Sequence, residues 1–241
     1  MIEIRQGSVV QRLTIQRVTT TFAGCWQGPP SLQSGFWYME ALIWNDSMVN
    51  SALLKPAEKG TETAIVRALG SRSVVLVGMM GAGKSSIGKR LAARLGIPFI
   101  DADSEIESAA GMTIPEIFEQ HGEAYFRAGE ARVIARLLDS GPQVLATGGG
   151  AIMDQKTRGL IHIKGISVWL RADLDLLLKR TKRRNDRPLV DKMKELMPLR
   201  EPVYAQSDIV VQSSDEPHDA IIDEIVAALR KHLAACEVRK P

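Results

Sequence analysis

The chain predicts a doubly wound α/β fold in which helices cover a parallel sheet. Two observations carry this. From about Ser71 onward, short β-branched runs alternate with helical patterns, the rhythm that builds a parallel sheet layered with helices. The first of those runs, Ser73 to Val77, leads straight into Gly78-Met-Met-Gly-Ala-Gly-Lys84-Ser85, a glycine-rich segment whose place is between a buried strand and a helix. Composition supplies the material: of 241 residues, 45% are hydrophobic and 24% charged, enough for a sizeable core.

Upstream the rhythm is missing. Residues 1–60 mix Gly, Pro, Ser, Thr and Gln with Trp26, Trp37 and Trp44 and keep no period of a helix or a strand, so they are expected to form a disordered N-terminal extension. Three origins stay open for it: a misassigned or vector-derived start, a native tail or partner-binding segment, and a transit peptide, which Glu3 and the low arginine content oppose. Residues 61–70 are expected to form a short helix from Thr61 to Leu69, stopped by Gly70, and a linker to a catalytic domain over 71–235. A tail at 236–241 completes the division.

Net charge of +3 and a pI near 8.9 are too mild to argue for a nucleic-acid or membrane partner. Cys25 and Cys236 lie at opposite ends, outside any metal or disulfide spacing, which points to a reducing compartment. No apolar run approaches the roughly 18 residues of a membrane span, so a soluble, cytoplasmic protein is expected.

Taken in order, the segment from Gly78 to Ser85 is G-x-x-x-x-G-K-S with strand before and helix after. Its glycines let backbone N–H groups face phosphate oxygens. Lys84 supplies a point charge for the γ-phosphoryl, and the Ser85 hydroxyl can ligate Mg²⁺. The helix from Lys84 to Leu95 ends at Gly96 and aims its positive end at the same anion. Strand two, Ile97 to Ile100, delivers Asp101-Ala-Asp103 at its carboxyl end. Two carboxylates at i and i+2 point to one side, where one can tether Mg²⁺ and the other accept a hydrogen bond from an alcohol; helix capping by Asp103 is the alternative. Thr113-Ile-Pro-Glu116 reads as a capping box, a folding signal. Phe126-Arg127 follows in Gly-Glu-Ala-Tyr-Phe-Arg-Ala-Gly-Glu. Strand three, Val144 to Ala146, opens onto Thr147-Gly148-Gly149-Gly150, a run that either admits a ligand close to backbone N–H groups or serves as a flexible turn. After strand four (Ser167 to Leu170) and a helix through Thr181 comes the basic cluster from Lys182 to Val190, either an RNA-binding patch or a lid carrying Arg187.

The order G-x-x-G-x-G-K-[ST], D-x-D, F-R, G-G-G, R-P-L and R-x-P-x-Y resembles shikimate kinases over about Ser71 to Leu233. The resemblance implies a five-stranded parallel sheet in the order 2-3-1-4-5, with a lid and an acceptor-binding helical region. It also implies transfer of the γ-phosphoryl of ATP to the 3-hydroxyl of shikimate, with Mg²⁺ and small-molecule substrates only, by a monomer. Carried over, it places Gly81, Ala82, Gly83, Lys84, Ser85 and Ser86 on the phosphates, Arg180 and Pro217 beside the adenine, and Arg187 in the lid. Ser85 and Asp101 would hold the metal, the latter through water. Asp103 would accept from the ring hydroxyls and act as base; Lys84 and Arg187 complete the catalytic set. Phe126, Arg127, Gly148, Gly149, Gly150 and Arg200 would line the acceptor, the two arginines on its carboxylate.

Ala146 stands where some relatives carry a hydroxyl that helps order metal-bound water. A gluconate kinase of the same build is the rival enzyme, and a nucleotide-binding regulator without turnover the rival from another class. The latter has no use for Asp103, Arg127 and Arg200 around one acceptor.

Overall fold

The computed structural model describes residues 56–181, 192–214 and 217–238, with side chains from Gly60 to Cys236 among them. Five strands form one parallel sheet: β1 (Ser73–Val77), β2 (Phe99–Asp101), β3 (Val144–Ala146), β4 (Gly165–Arg171) and β5 (Ile209–Gln212), in the order β2-β3-β1-β4-β5. The expected order therefore holds. Two strands differ from their expected bounds at both ends, β2 running on to Asp101 and β4 to Arg171. β2 starts at Phe99 because Pro98 cannot donate to a ladder, and β4 extends to Gly165, paired there with Ser73. The central strands are buried along almost their whole length, as both faces of a parallel sheet require. Edge strand β5 alternates buried and exposed residues.

The helices are α1 (Pro56–Leu69), α2 (Lys84–Leu95), α3 (Ala102–Ala110), α4 (Ile114–Leu138), α5 (Gln155–Lys164), α6 (Leu174–Thr181), α7 (Met193–Tyr204) and α8 (His218–Val238). α1, α2 and α8 contact one another as one layer, with α2 on β1, β2 and β3 and α8 on β5. α5 packs on β4 with α4 beside it. The sequence starts α1 at Thr61, whereas the helix begins at Pro56, a residue well suited to a first turn. Its Ile65 and Leu69 are each 2% exposed and belong to the main core. Arg94 Nε of α2 reaches Glu62 Oε1 of α1 at 2.6 Å.

α4 carries the capping box that Thr113 and Glu116 predict. Its interior is broken at Gly122, whose φ of 79° and ψ of 173° are not helical and are cheap only for glycine. The second stretch is thereby aimed separately, and it carries Phe126, Arg127 and Glu130. Residues 1–55, 182–191 with Arg187 of the expected lid, 215–216 and 239–241 lie outside the described residues.

Candidate active site

β1 feeds the glycine loop, β2 ends at Asp101, and β3 ends at the three glycines, so three carboxyl ends of the sheet converge where an open α/β sheet binds ligands. Gly83, with φ of 94°, precedes α2 in the left-handed region and lets the loop turn into the helix axis. Lys84 is buried, and its ammonium donates to the carbonyls of Gly78 at 2.8 Å and Met79 at 2.9 Å. The Ser85 hydroxyl donates to Asp101 Oδ2 at 2.6 Å.

The two aspartates do not share a strand. β2 ends at Asp101, which caps α3 by accepting from the Asp103 N–H at 3.1 Å. Asp103 is already inside the first turn of that helix. The capping task considered for Asp103 thus falls to Asp101, and the i, i+2 strand geometry is replaced by a strand-to-helix turn. Both carboxylates still line the same wall.

That wall separates two cavities. One, of about 420 Å³, runs along the loop past Gly81, Gly83, Lys84, Ser86, Arg180 and His218. The other, of about 330 Å³, is bounded by Phe118, Phe126, Arg127, Glu130, Gly150 and Arg200. Ser85, Asp101, Asp103, Gly148 and Gly149 face both. A reactant in each would meet across these five residues.

In the first cavity, Arg180 donates to the Ser213 hydroxyl at 3.1 Å and to the Ser214 carbonyl at 2.6 Å. Ser213, fully buried, donates in turn to the Ala82 carbonyl at 2.9 Å. Ala82 is therefore buried beneath the loop, off the cavity wall. Pro217 is exposed and also off that wall, while its neighbour His218 is on it, 3.3 Å from the Ser86 hydroxyl through Nε2.

In the second cavity the glycines have a use that spacing alone does not reveal. A Cβ on Gly150 would sit 2.5 Å from Arg127 Nη1, one on Gly148 2.7 Å from Glu130 Oε1, and one on Gly149 3.3 Å from Arg200 Nη1. The three glycines make room for a cluster of charged side chains, and none of them needs a left-handed φ. Arg127 lies against the Phe126 ring, its Cζ 5.1 Å from the centroid; Phe126 packs on Phe118 at 4.7 Å. Arg200 is 7% exposed.

Glu130 is the residue that sequence reading left without a role. It is 2% exposed, and its Oε2 accepts from Arg127 Nη1 at 2.7 Å. Burial pushes its carboxyl up, against the opposing pull of Arg127. The i, i+3 spacing to Arg127 on one helix was the available signal.

Among the described residues no helix is long and apolar enough to cross a membrane, and no group of three or more His, Cys, Asp or Glu side chains is placed to hold a metal. Ser85 and Asp101 offer two hard oxygen donors in contact, a set that fits Mg²⁺ shared with phosphate oxygens.

Comparison with known proteins follows the same residues. A family model described as shikimate kinase matches residues 80–230. The shikimate kinase of Bradyrhizobium diazoefficiens is 56% identical over 192 residues, spanning 77% of this chain and 93% of the relative. That of Rhodopseudomonas palustris is 59% identical over 180 residues, spanning 72% and 89%. A solved shikimate kinase from Acinetobacter baumannii, in complex with shikimate, has a TM-score of 0.65 at 35% identity and covers 72% of this chain and 97% of that one. The matched span takes in the loop from Met80 onward, both aspartates, the glycine run and both arginines, and on it the chain belongs to the shikimate kinase family.

Proposed function

We propose that the chain transfers the γ-phosphoryl of ATP to the 3-hydroxyl of shikimate, giving shikimate 3-phosphate and ADP in the route to chorismate and the aromatic amino acids. The observation that carries this reading is the pair of adjoining cavities, one along the phosphate loop and one walled by two arginines, with Asp103 between them. Two guanidinium groups suit a carboxylate, and an aspartate at the partition suits a hydroxyl.

ATP lies along the loop, where an incoming phosphate replaces the Gly78 and Met79 carbonyls as the partner of Lys84. Arg127 and Arg200 take the shikimate carboxylate and fix the ring, turning its 3-hydroxyl toward Asp103. Ser85 and Asp101 would hold Mg²⁺, which when bound offsets the charge on the β- and γ-phosphates. The shikimate oxygen forms its bond to the γ-phosphorus as the bond from that phosphorus to the β,γ-bridging oxygen breaks. The hydroxyl proton passes to Asp103 and then to water. Lys84 follows the charge as it spreads over the transferring group, and Arg187, outside the described residues, is assigned the same task from the lid.

ATP as donor supports a cytoplasmic enzyme. ADP release measured with shikimate, gluconate, nucleoside monophosphates and water as acceptors tests the reading. Shikimate should exceed every other acceptor in kcat/KM by orders of magnitude; a higher value for gluconate or a nucleotide would overturn it.

A further inference from the structure

We infer that Tyr204 is a positioning residue for the acceptor, its hydroxyl fixing the Gly149–Gly150 peptide beside the Arg200 guanidinium. The inference rests on the functional reading above, since it concerns the cavity assigned to shikimate. Tyr204 closes α7 and is 1% exposed, its ring 5.8 Å from that of Trp169. Its hydroxyl donates to the Gly149 carbonyl and lies 3.7 Å from the Met79 sulfur in the phosphate loop. Arg200, one turn earlier on the same helix, brings its Nη1 to 3.3 Å from where a Gly149 Cβ would stand.

Geometry converts that contact into an effect on ligand. A trans peptide is planar, with its C=O and N–H antiparallel, and no cis bond is present among the described residues. A Gly149 carbonyl held by Tyr204 therefore turns the Gly150 N–H the opposite way. That N–H has no partner among the described residues, and Gly150 lines the acceptor cavity. Turn bonds hold the peptides on either side, from Ala151 N–H to Gly148 and from Met153 N–H to Gly150, but the Gly149–Gly150 peptide itself has no bond besides that to Tyr204 among the described residues and no side chain to restrict it. Tyr204 supplies the constraint, and it sets the direction of an N–H donor beside the Arg200 guanidinium that packs on Gly149. Burial keeps the phenol protonated, its pKa pushed up to about 12, so it remains a donor across the physiological range.

The experiment is Tyr204→Phe, which keeps the ring and removes the hydroxyl. Loss of the orienting bond, with a part-buried carbonyl left without that donor, should raise Kd and KM for shikimate about tenfold. The ATP Kd should stay within about twofold and kcat within about threefold, since the loss falls on acceptor binding shared by ground and transition states. An unchanged shikimate KM, or an equal loss of ATP and shikimate binding, would overturn the inference, the latter marking Tyr204 as a packing residue of the fold. Should Tyr204→Phe fail to fold, hydrogen exchange in the wild type decides: shikimate should slow exchange at the Gly150 amide, and no slowing would overturn the proposal. If the wild type instead phosphorylates another hydroxylated acid, the functional reading falls, and the same split between acceptor and ATP binding, measured with that acid, still supports or overturns the role of Tyr204.

Discussion

Arg127 Nη1 lies 2.7 Å from Oε2 of Glu130, a carboxylate that the fold leaves only 2% exposed. Its other oxygen is buried and has no hydrogen-bond partner among the described residues. A pair whose carboxylate is so buried and incompletely satisfied is weak material for stability, because desolvating that charge consumes much of the attraction. What it supplies is direction. Arg127 is pulled along its helix toward the glycine run, and its guanidinium lies against Gly150 at a distance that only a missing Cβ permits.

Glu130→Gln should therefore raise the shikimate KM about tenfold, the ATP KM staying near its starting value, because a neutral amide holds the guanidinium more weakly. The variant also carries a pH signature. Burial raises the Glu130 carboxyl above its ordinary value of 4.5, so its contribution to stability is full below that value and is lost as pH climbs through the folded-state value. Thermal melts from pH 4 to pH 8 should show the wild type losing ground against Glu130→Gln as pH rises. A gap that widened in the wild type's favour would mean that the ionised form is the one the fold prefers.

Gly150→Ala should impair the acceptor side alone. The added methyl would lie 2.5 to 2.7 Å from three guanidinium atoms of Arg127, forcing that side chain away. Shikimate binding should weaken by more than about tenfold, the loss of a charge-assisted contact, with ATP binding retained. Gly159→Ala is the matched control: it lies within α5, a methyl there meets nothing within 4 Å, and helix propensity makes it neutral to stabilising by about 0.5 to 1 kcal/mol. Isothermal titration of both substrates against both variants separates the cases.

The sequence carried most of this arrangement and missed part of it for identifiable reasons. The loop, the start and end of α2 and the sheet order depend on local chemistry or on motifs that sit at strand ends, and they were legible. The roles of Asp101 and Asp103 were harder, because the strand stops at Asp101, two residues short of Asp103, which turns an i, i+2 pair into a cap and a helical residue. Glu130 was visible one turn beyond Arg127 but reads as surface charge until β3 brings Gly148 against it. The break at Gly122 was hidden too, since a glycine in a helical pattern signals nothing until its φ is known.

Lys84→Ala should leave the melting temperature within a few degrees and lower kcat by several orders of magnitude. The ammonium is bound to two loop carbonyls that water can serve instead, whereas the transferring phosphoryl depends on fixed positive charge for its stabilisation. Steady-state turnover beside a thermal melt checks both halves, and an unchanged kcat would take the loop out of the chemistry.

Asp101 and Asp103 should separate by their response to metal. Asp101 touches the Ser85 hydroxyl, so Asp101→Asn should raise the Mg²⁺ concentration giving half-maximal rate. Asp103 faces the acceptor, its Oδ1 3.0 Å from where a Gly148 Cβ would stand, so Asp103→Asn should depress kcat at every Mg²⁺ concentration. Identical Mg²⁺ titrations would show the division to be wrong.

The last prediction concerns α1. A chain starting at Met48 should fold and phosphorylate shikimate with kcat and KM within about two- to threefold of the full chain, since every residue of the proposed site lies at or beyond Gly78 and active-site effects fall off with lost contacts. A chain starting at Gly70 should not. It lacks Ile65 and Leu69, each 2% exposed in the main core, and it lacks Glu62, leaving Arg94 without that carboxylate. Truncating one such buried aliphatic side chain to alanine costs about 2 to 5 kcal/mol, and removing two together with their helix also uncovers the faces of α2 and α8 beneath. Against a total of about 5 to 15 kcal/mol for a domain, that loss is severe. At roughly 2 to 4 °C per kcal/mol for a chain of this size, the shorter form should melt at least about 10 °C lower or fail to fold. Differential scanning calorimetry of the three chains decides it: equal melting points for the chains starting at Met48 and at Gly70 would show that α1 adds nothing to the core, and a fall of more than about 5 °C between the full chain and the one starting at Met48 would show that residues before Met48 are structural.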